Sequence, residues 1–161
     1  MILIQGLLIH LIKGLLNLYH ALIHSHLTYG CLLWGTASPS VIKSLHIAQK
    51  KAIRLVHNSR YNAHTPPLFQ ASKVLPLVDL VRLEISKFMH QHSNNTLPIK
   101  LSHSLNSHSH HHDYPTRSTL PYRPPRNTST ANFRSLISEC LRVWTSIPHF
   151  IQILSFNQFR R

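Results

Sequence analysis

Four carboxylates, Asp79, Glu84, Asp113 and Glu139, are all the acid that this chain of 161 residues contains. Two-metal nucleotidyl transfer needs carboxylates that converge on ions about 3.5–4 Å apart. Asp79 and Glu84 would lie on one helix, roughly 140° apart round its axis at about 3.6 residues per turn, so they cannot share a metal pair there. No adjacent Asp-Asp pair exists, and no serine occupies the Gly-x-Ser-x-Gly elbow of a hydrolase nucleophile. The four glycines build no phosphate-cradling loop. The residues predict no catalytic site and call for no cofactor.

Fifteen histidines are the next chemical resource. His20 and His24 fall one helical turn apart and could share a metal, but no third ligand has suitable spacing, so a solvent-edge pair is expected. His103, His108, His110, His111 and His112 cluster in a polar stretch that offers no rigid scaffold and no cysteine, and no defined metal site is expected there either. Cys31 and Cys140 each lack a second cysteine at short spacing. They read as reduced, buried, small apolar side chains, which places the chain inside the cell.

The cations carry the strongest signal. Seventeen Lys and Arg against four acids give a formal charge of +13. Such an excess favours a polyanionic partner, either nucleic acid or an anionic membrane surface. Lys43, His46, Lys50, Arg54 and His57 recur at three- and four-residue steps, with Lys51 just round the corner. On a helix this spacing gathers several charges on one face, and a row of that kind can follow a phosphate backbone. Solvated faces mix signs, whereas this helix carries no acid. Further along, Arg117, Arg123 and Arg126 are separated by prolines that keep the backbone extended. Lys43, Lys50, Lys51, Arg54, Arg117, Arg123 and Arg126 are therefore the candidate nucleic-acid contacts, and the expected partner is a DNA or RNA backbone, bound without sequence preference.

The elements that must position these residues are helical. Leu15, Leu18, Tyr19, Leu22 and Ile23 recur at helical spacing between positions 15 and 27. Ser38-Pro39 pairs an N-cap with an N1 proline and opens a helix to about His57, with Ile42, Leu45, Ala52 and Val56 inward. Thr65-Pro66 starts a short helix through Phe69 and Ala71. Pro76 introduces another, from about Leu77 to Gln91, with a stripe of Leu77, Leu80 or Val81, Ile85, Phe88 and Met89. Asp79 suits its N-terminal dipole, and Glu84 can reach Lys87. The chain is expected to be mainly α: a helical domain over residues 1–92, a His/Pro/Ser-rich extended linker over 93–130, and an apolar, aromatic segment over 131–161. In that last segment Phe133, Leu136, Ile137, Leu141, Val143, Trp144 and Ile147 form the pattern, and Ile151, Leu154, Phe156 and Phe159 are expected to cap a core beyond Pro148.

Residues 14–42 contain no Lys, Arg, Asp or Glu, a run long enough to raise a membrane-spanning helix. Asn17, His20, His24, Ser25, His26 and Thr28 interrupt it, and Gly30, Gly35 and Thr36-Ala37-Ser38-Pro39 divide it. A buried helix plus a short apolar segment is expected. A basic protein attached to membranes through residues 1–34 is the competing reading. No basic n-region precedes the apolar start, so no signal peptide is expected.

A set of short signatures also stands in a fixed order: Leu18-Tyr19, Leu27-Thr28-Tyr29-Gly30, Leu33-Trp34-Gly35, Gln49-Lys50-Lys51-Ala52-Ile53-Arg54, His64-Thr65-Pro66-Pro67-Leu68-Phe69, Tyr114-Pro115-Thr116-Arg117 and Trp144-Thr145-Ser146-Ile147-Pro148. This order resembles the region downstream of the polymerase palm in reverse transcriptases of jockey-like non-LTR retrotransposons (LINE elements). The resemblance implies a truncated, thumb-like piece of an RNA-directed DNA polymerase. A thumb grips template–primer duplex, which would make Lys50, Lys51 and Arg54 backbone-contacting cations. Fingers, palm and paired aspartates are not in the chain, so by itself it is expected to be catalytically incomplete, with a palm supplied in trans as one option and a non-functional relic of the element as another. Where the family has a glycine-containing turn before Trp144, this chain has Glu139-Cys140. A thumb without its palm leaves apolar surface uncovered, and self-association through Leu22, Ile23, Leu32 and Trp34 is expected.

Overall fold

A computed structural model describes residues 2–106 and 135–159. The described residues are mostly helical, and none of them lies in a strand. The chain divides into two compact units, Met1–Val81 and Arg82–Arg161. The division falls inside a helix.

In the first unit, α1 spans Ile2–Tyr19 and passes directly into a wider π-helical turn, His20–His24, then α2, Ser25–Thr28. The helical pattern read from position 15 onward therefore begins a dozen residues earlier. Gly30, at φ +62°, reverses the chain into α3, Cys31–Trp34, a left-handed position that suits glycine. Ser38 and Pro39 start α4, Pro39–Val56, as expected, although the Ser38 hydroxyl pairs with Ser40 rather than with the helix backbone. Thr65 precedes α5, Pro66–Ser72, and Pro76 precedes α6, Leu77–Ser93.

Two small cores hold this unit. Tyr19, Ile53, Val56, Phe69 and Val74 form the first, with Ile12, Leu15 and Leu16 of α1 packed on it. Leu27, Leu77 and Leu80 form the second, flanked by Trp34, Ile42 and Leu45. Ile23 touches both. The inner face of α4 differs from expectation at one telling place. Ala52 is only half-buried, and the fully enclosed side chains are Gln49, Ile53 and Val56.

Gln49 is inside because every polar atom of its amide is used. Its nitrogen donates to the Tyr19 hydroxyl and to the Leu75 carbonyl, each at 3.0 Å, and its oxygen accepts from the Leu77 amide at 2.8 Å. A buried amide is tolerated when satisfied in this way. It ties α1, α4 and the start of α6 together.

The second unit contains the rest of α6, α7 (Ile99–Asn106), α8 (Leu136–Ser146), α9 (His149–Gln152) and α10 (Phe156–Phe159). The helix α7 lies within the stretch read as linker, and Leu105 on it is buried. Ser135 caps α8 by accepting from the Ser138 amide. Leu141 and Trp144 are buried as the pattern implied. Phe156 and Phe159 close round the buried His90, whose ring stacks on Phe159 with centroids 4.4 Å apart. Glu84 pairs with Lys87, and Glu139 with Arg142.

Cys31 and Cys140 are both buried thiols, and burial pushes the Cys140 thiol up to about 12. Among the described residues no helix is long and apolar enough to cross a membrane.

Candidate nucleic-acid interface

The cation row on α4 ends up at a concavity. Gln49 and Ile53 turn inward, and His46, Lys50 and Arg54, set at four-residue steps beside them, line a cavity of about 780 Å³. Asn62, Ala63, His64 and Thr65 form a second side, with Pro66, Phe69 and Gln70 of α5 behind them. Lys73, Val74, Leu75 and Pro76 complete the wall on the way into α6, and Asp79 in its first turn is the single acid on the cavity lining.

Arg54 is anchored rather than loose. Its Nε donates to the Ala63 carbonyl at 3.0 Å, which orients the planar guanidinium and leaves its outer nitrogens for other acceptors. The 60–65 loop is thereby tied to α4. His57, one turn further on, is committed elsewhere: Ser72 Oγ donates to the Leu68 carbonyl, so the hydroxyl accepts from His57 Nε2 at 2.6 Å. Lys50 and Arg54 are half-buried, while His64 and Lys73 are exposed.

His46 lies parallel to Phe69, with ring centroids 6.5 Å apart. Burial holds its pKa below the usual imidazole range, and the ammonium of Lys50 pushes the same way. The Gln49 side chain and the Asp79 carboxylate oppose that shift.

Of the cations singled out in the sequence, the fold brings Lys50 and Arg54 together on this cavity, whereas Lys43 and Lys51 are exposed and do not line it. Arg117, Arg123 and Arg126 lie outside the described residues, as do His108, His110, His111 and His112. Two further side chains on the groove, His64 and Lys73, were not picked out from sequence. They come from a loop and a helix end, and no single-helix periodicity links them to α4.

His20 and His24 do stand close, with ring centroids 5.1 Å apart. Among the described residues no three His, Cys, Asp or Glu side chains gather in a way that could hold a metal ion.

The chain matches no protein-family model, no curated protein and no solved structure.

Proposed function

We propose that this chain derives from the post-palm, thumb-like region of a jockey-like retrotransposon reverse transcriptase. We further propose that it binds the phosphate backbone of DNA or RNA without reading sequence and without a catalytic centre of its own. The ordered signatures, from Leu18-Tyr19 to Trp144–Pro148, support the ancestry. One observation carries the binding reading: Lys50 and Arg54 of α4 share a cavity with Lys73 and His64, and the lining offers only Asp79 in opposition. Contacts of this type position a polyanion and carry no base information.

Binding through phosphates releases counterions, so affinity must fall with salt. Four to six contacts give a log–log slope of about −4 to −5 on B-DNA. Lys50→Ala should weaken binding evenly across sequences and reduce the slope by about 1. A slope near zero, or an unchanged slope in the variant, overturns the reading.

A further inference from the structure

We infer that the groove takes single-stranded nucleic acid in preference to duplex, with its sugar-phosphate chain inside and a base stacked on Tyr61 at the rim. This rests on the reading of the groove as a phosphate site and goes further by naming the form of the ligand.

The first argument is shape. A cavity of about 780 Å³ falls within the roughly 300–1,000 Å³ that encloses one small molecule, the scale of a nucleotide. A duplex presents its phosphates on a convex cylinder and would meet cations that stand proud of the surface. Lys43 and Lys51 stand that way and lie off the groove, whereas Lys50 and Arg54 are half-sunk in its wall. A lone strand can send its backbone into the concavity to reach them.

The second argument is the aromatic residue. Tyr61 is 81 % exposed and directly precedes the groove-lining Asn62 in the loop that Arg54 holds through Ala63. Proteins that hold single strands combine a cationic groove with aromatic rings on which unpaired bases stack. The bases of a duplex are already stacked and cannot use such a ring.

The third argument comes from the backbone. Asn58, Lys73 and Asn95 all adopt positive φ, at 46°, 53° and 55°. Each follows a helix whose carbonyls are recovered by the same paired bonds. At Lys73, its own amide returns to Gln70 and the Val74 amide returns to Phe69, both at 3.0 Å. Glycine or asparagine suits this left-handed position, and α4 and α6 use asparagine. Only the end of α5 holds a residue with no local use for it. That residue is a lysine whose side chain lines the groove. A strained position kept by a residue of the wrong local type is characteristic of ligand contacts.

The test uses the full chain and two labelled probes, an oligothymidine of about 12 nucleotides and a hairpin duplex with the same number of phosphates. The single strand should bind about tenfold or more tighter, and Tyr61→Ala should weaken it at least about fivefold, the lower end of a base–aromatic stack, while leaving duplex affinity unchanged. Lys73→Gly should weaken single-strand binding yet melt no lower than the parent, because glycine relieves the backbone. Equal affinity for both probes, with Lys50→Ala weakening both, overturns this inference and leaves the phosphate reading standing. Binding of neither probe overturns both. An unchanged Tyr61→Ala, or a Lys73→Gly that melts lower and binds normally, also overturns the inference.

Discussion

Gln49 donates to the hydroxyl of Tyr19 across thirty positions of sequence, at 3.0 Å, inside the first core. The same amide holds Leu75 and Leu77. The side chain that fixes α1 and the entrance to α6 thus sits between the groove-lining His46 and Lys50 on α4.

Replacing Gln49 by Leu keeps the volume and removes the partners. The Leu77 amide would be buried unpaired, at about 1–3 kcal/mol, and the part-buried Leu75 carbonyl and the Tyr19 hydroxyl would each lose a bond of about 1 kcal/mol. Gln49→Leu is therefore expected to lose on the order of 3 kcal/mol in urea unfolding, and Tyr19→Phe only about 1 kcal/mol. A Gln49→Leu protein as stable as the parent would show that the amide is not the tie described.

Sequence patterning located the starts of α4, α5 and α6, because Pro39, Pro66 and Pro76 each mark a boundary through their fixed φ and missing amide. It misjudged the inside of α4, since a Gln at a helical position is ordinarily read as solvated and only the Tyr19 and Leu75–Leu77 partners make burial favourable. It passed over α7, whose three apolar residues, Ile99, Leu101 and Leu105, alternate with polar ones and give too little helical periodicity to register. The groove was half legible. Lys50 and Arg54 follow from one helix's spacing, whereas His64 and Lys73 join them only through the tertiary fold.

Glycine supplies a paired test. A Cβ on Gly35 would meet the Cys31 carbonyl oxygen at 2.5 Å and Val81 Cγ1 at 2.8 Å. The carbonyl belongs to the backbone of α3 and cannot move aside. Gly35→Ala should lose about 2–3 kcal/mol through overpacking. A Cβ on Gly14, within α1, meets nothing within 4 Å, so Gly14→Ala should add about 0.5–1 kcal/mol from helix propensity. Thermal melts of both variants against the parent check the two signs. A stabilised Gly35→Ala would mean that Gly35 does not lie against Val81.

Acidification should act on stability and on binding in opposite directions. Burial lowers the pKa of His46 and of His92 in the folded chain. Near an ordinary imidazole value of about 6.5 the unfolded chain then holds more protons than the folded one, and stability rises with pH there. The contribution from these two groups is complete above the unfolded value and is lost as pH falls below about 6.5 toward the depressed folded values. The melting temperature of the ligand-free chain should drop between about pH 7 and 5. A phosphate beside His46 favours the imidazolium, so affinity should increase over the same interval. His46→Gln should flatten the affinity profile and leave the His92 part of the stability profile. A profile unchanged by that substitution would remove His46 from the groove's chemistry.

Leu18, Leu22 and Leu55 are 55 %, 63 % and 76 % exposed and flank a shallow apolar groove of about 210 Å³ with Leu15, Ile23 and Val56. An apolar surface of this kind favours contact with another copy, while the net charge of +13 opposes it. Salt screens the repulsion and leaves the apolar term. Self-association should therefore strengthen as salt rises, opposite in sign to the loss of nucleic-acid affinity. Of the residues expected from sequence to mediate it, Leu22 and Ile23 line this groove and Leu32 does not, while Trp34 packs on the second core and donates its indole N–H to the Tyr29 carbonyl at 2.9 Å. Light scattering after size-exclusion chromatography at low and high salt measures the effect, with Leu22→Gln and Leu55→Gln expected to keep the chain monomeric at both. Association that weakens with salt would place the contact on charged surface, and association that survives both substitutions would place it away from this face.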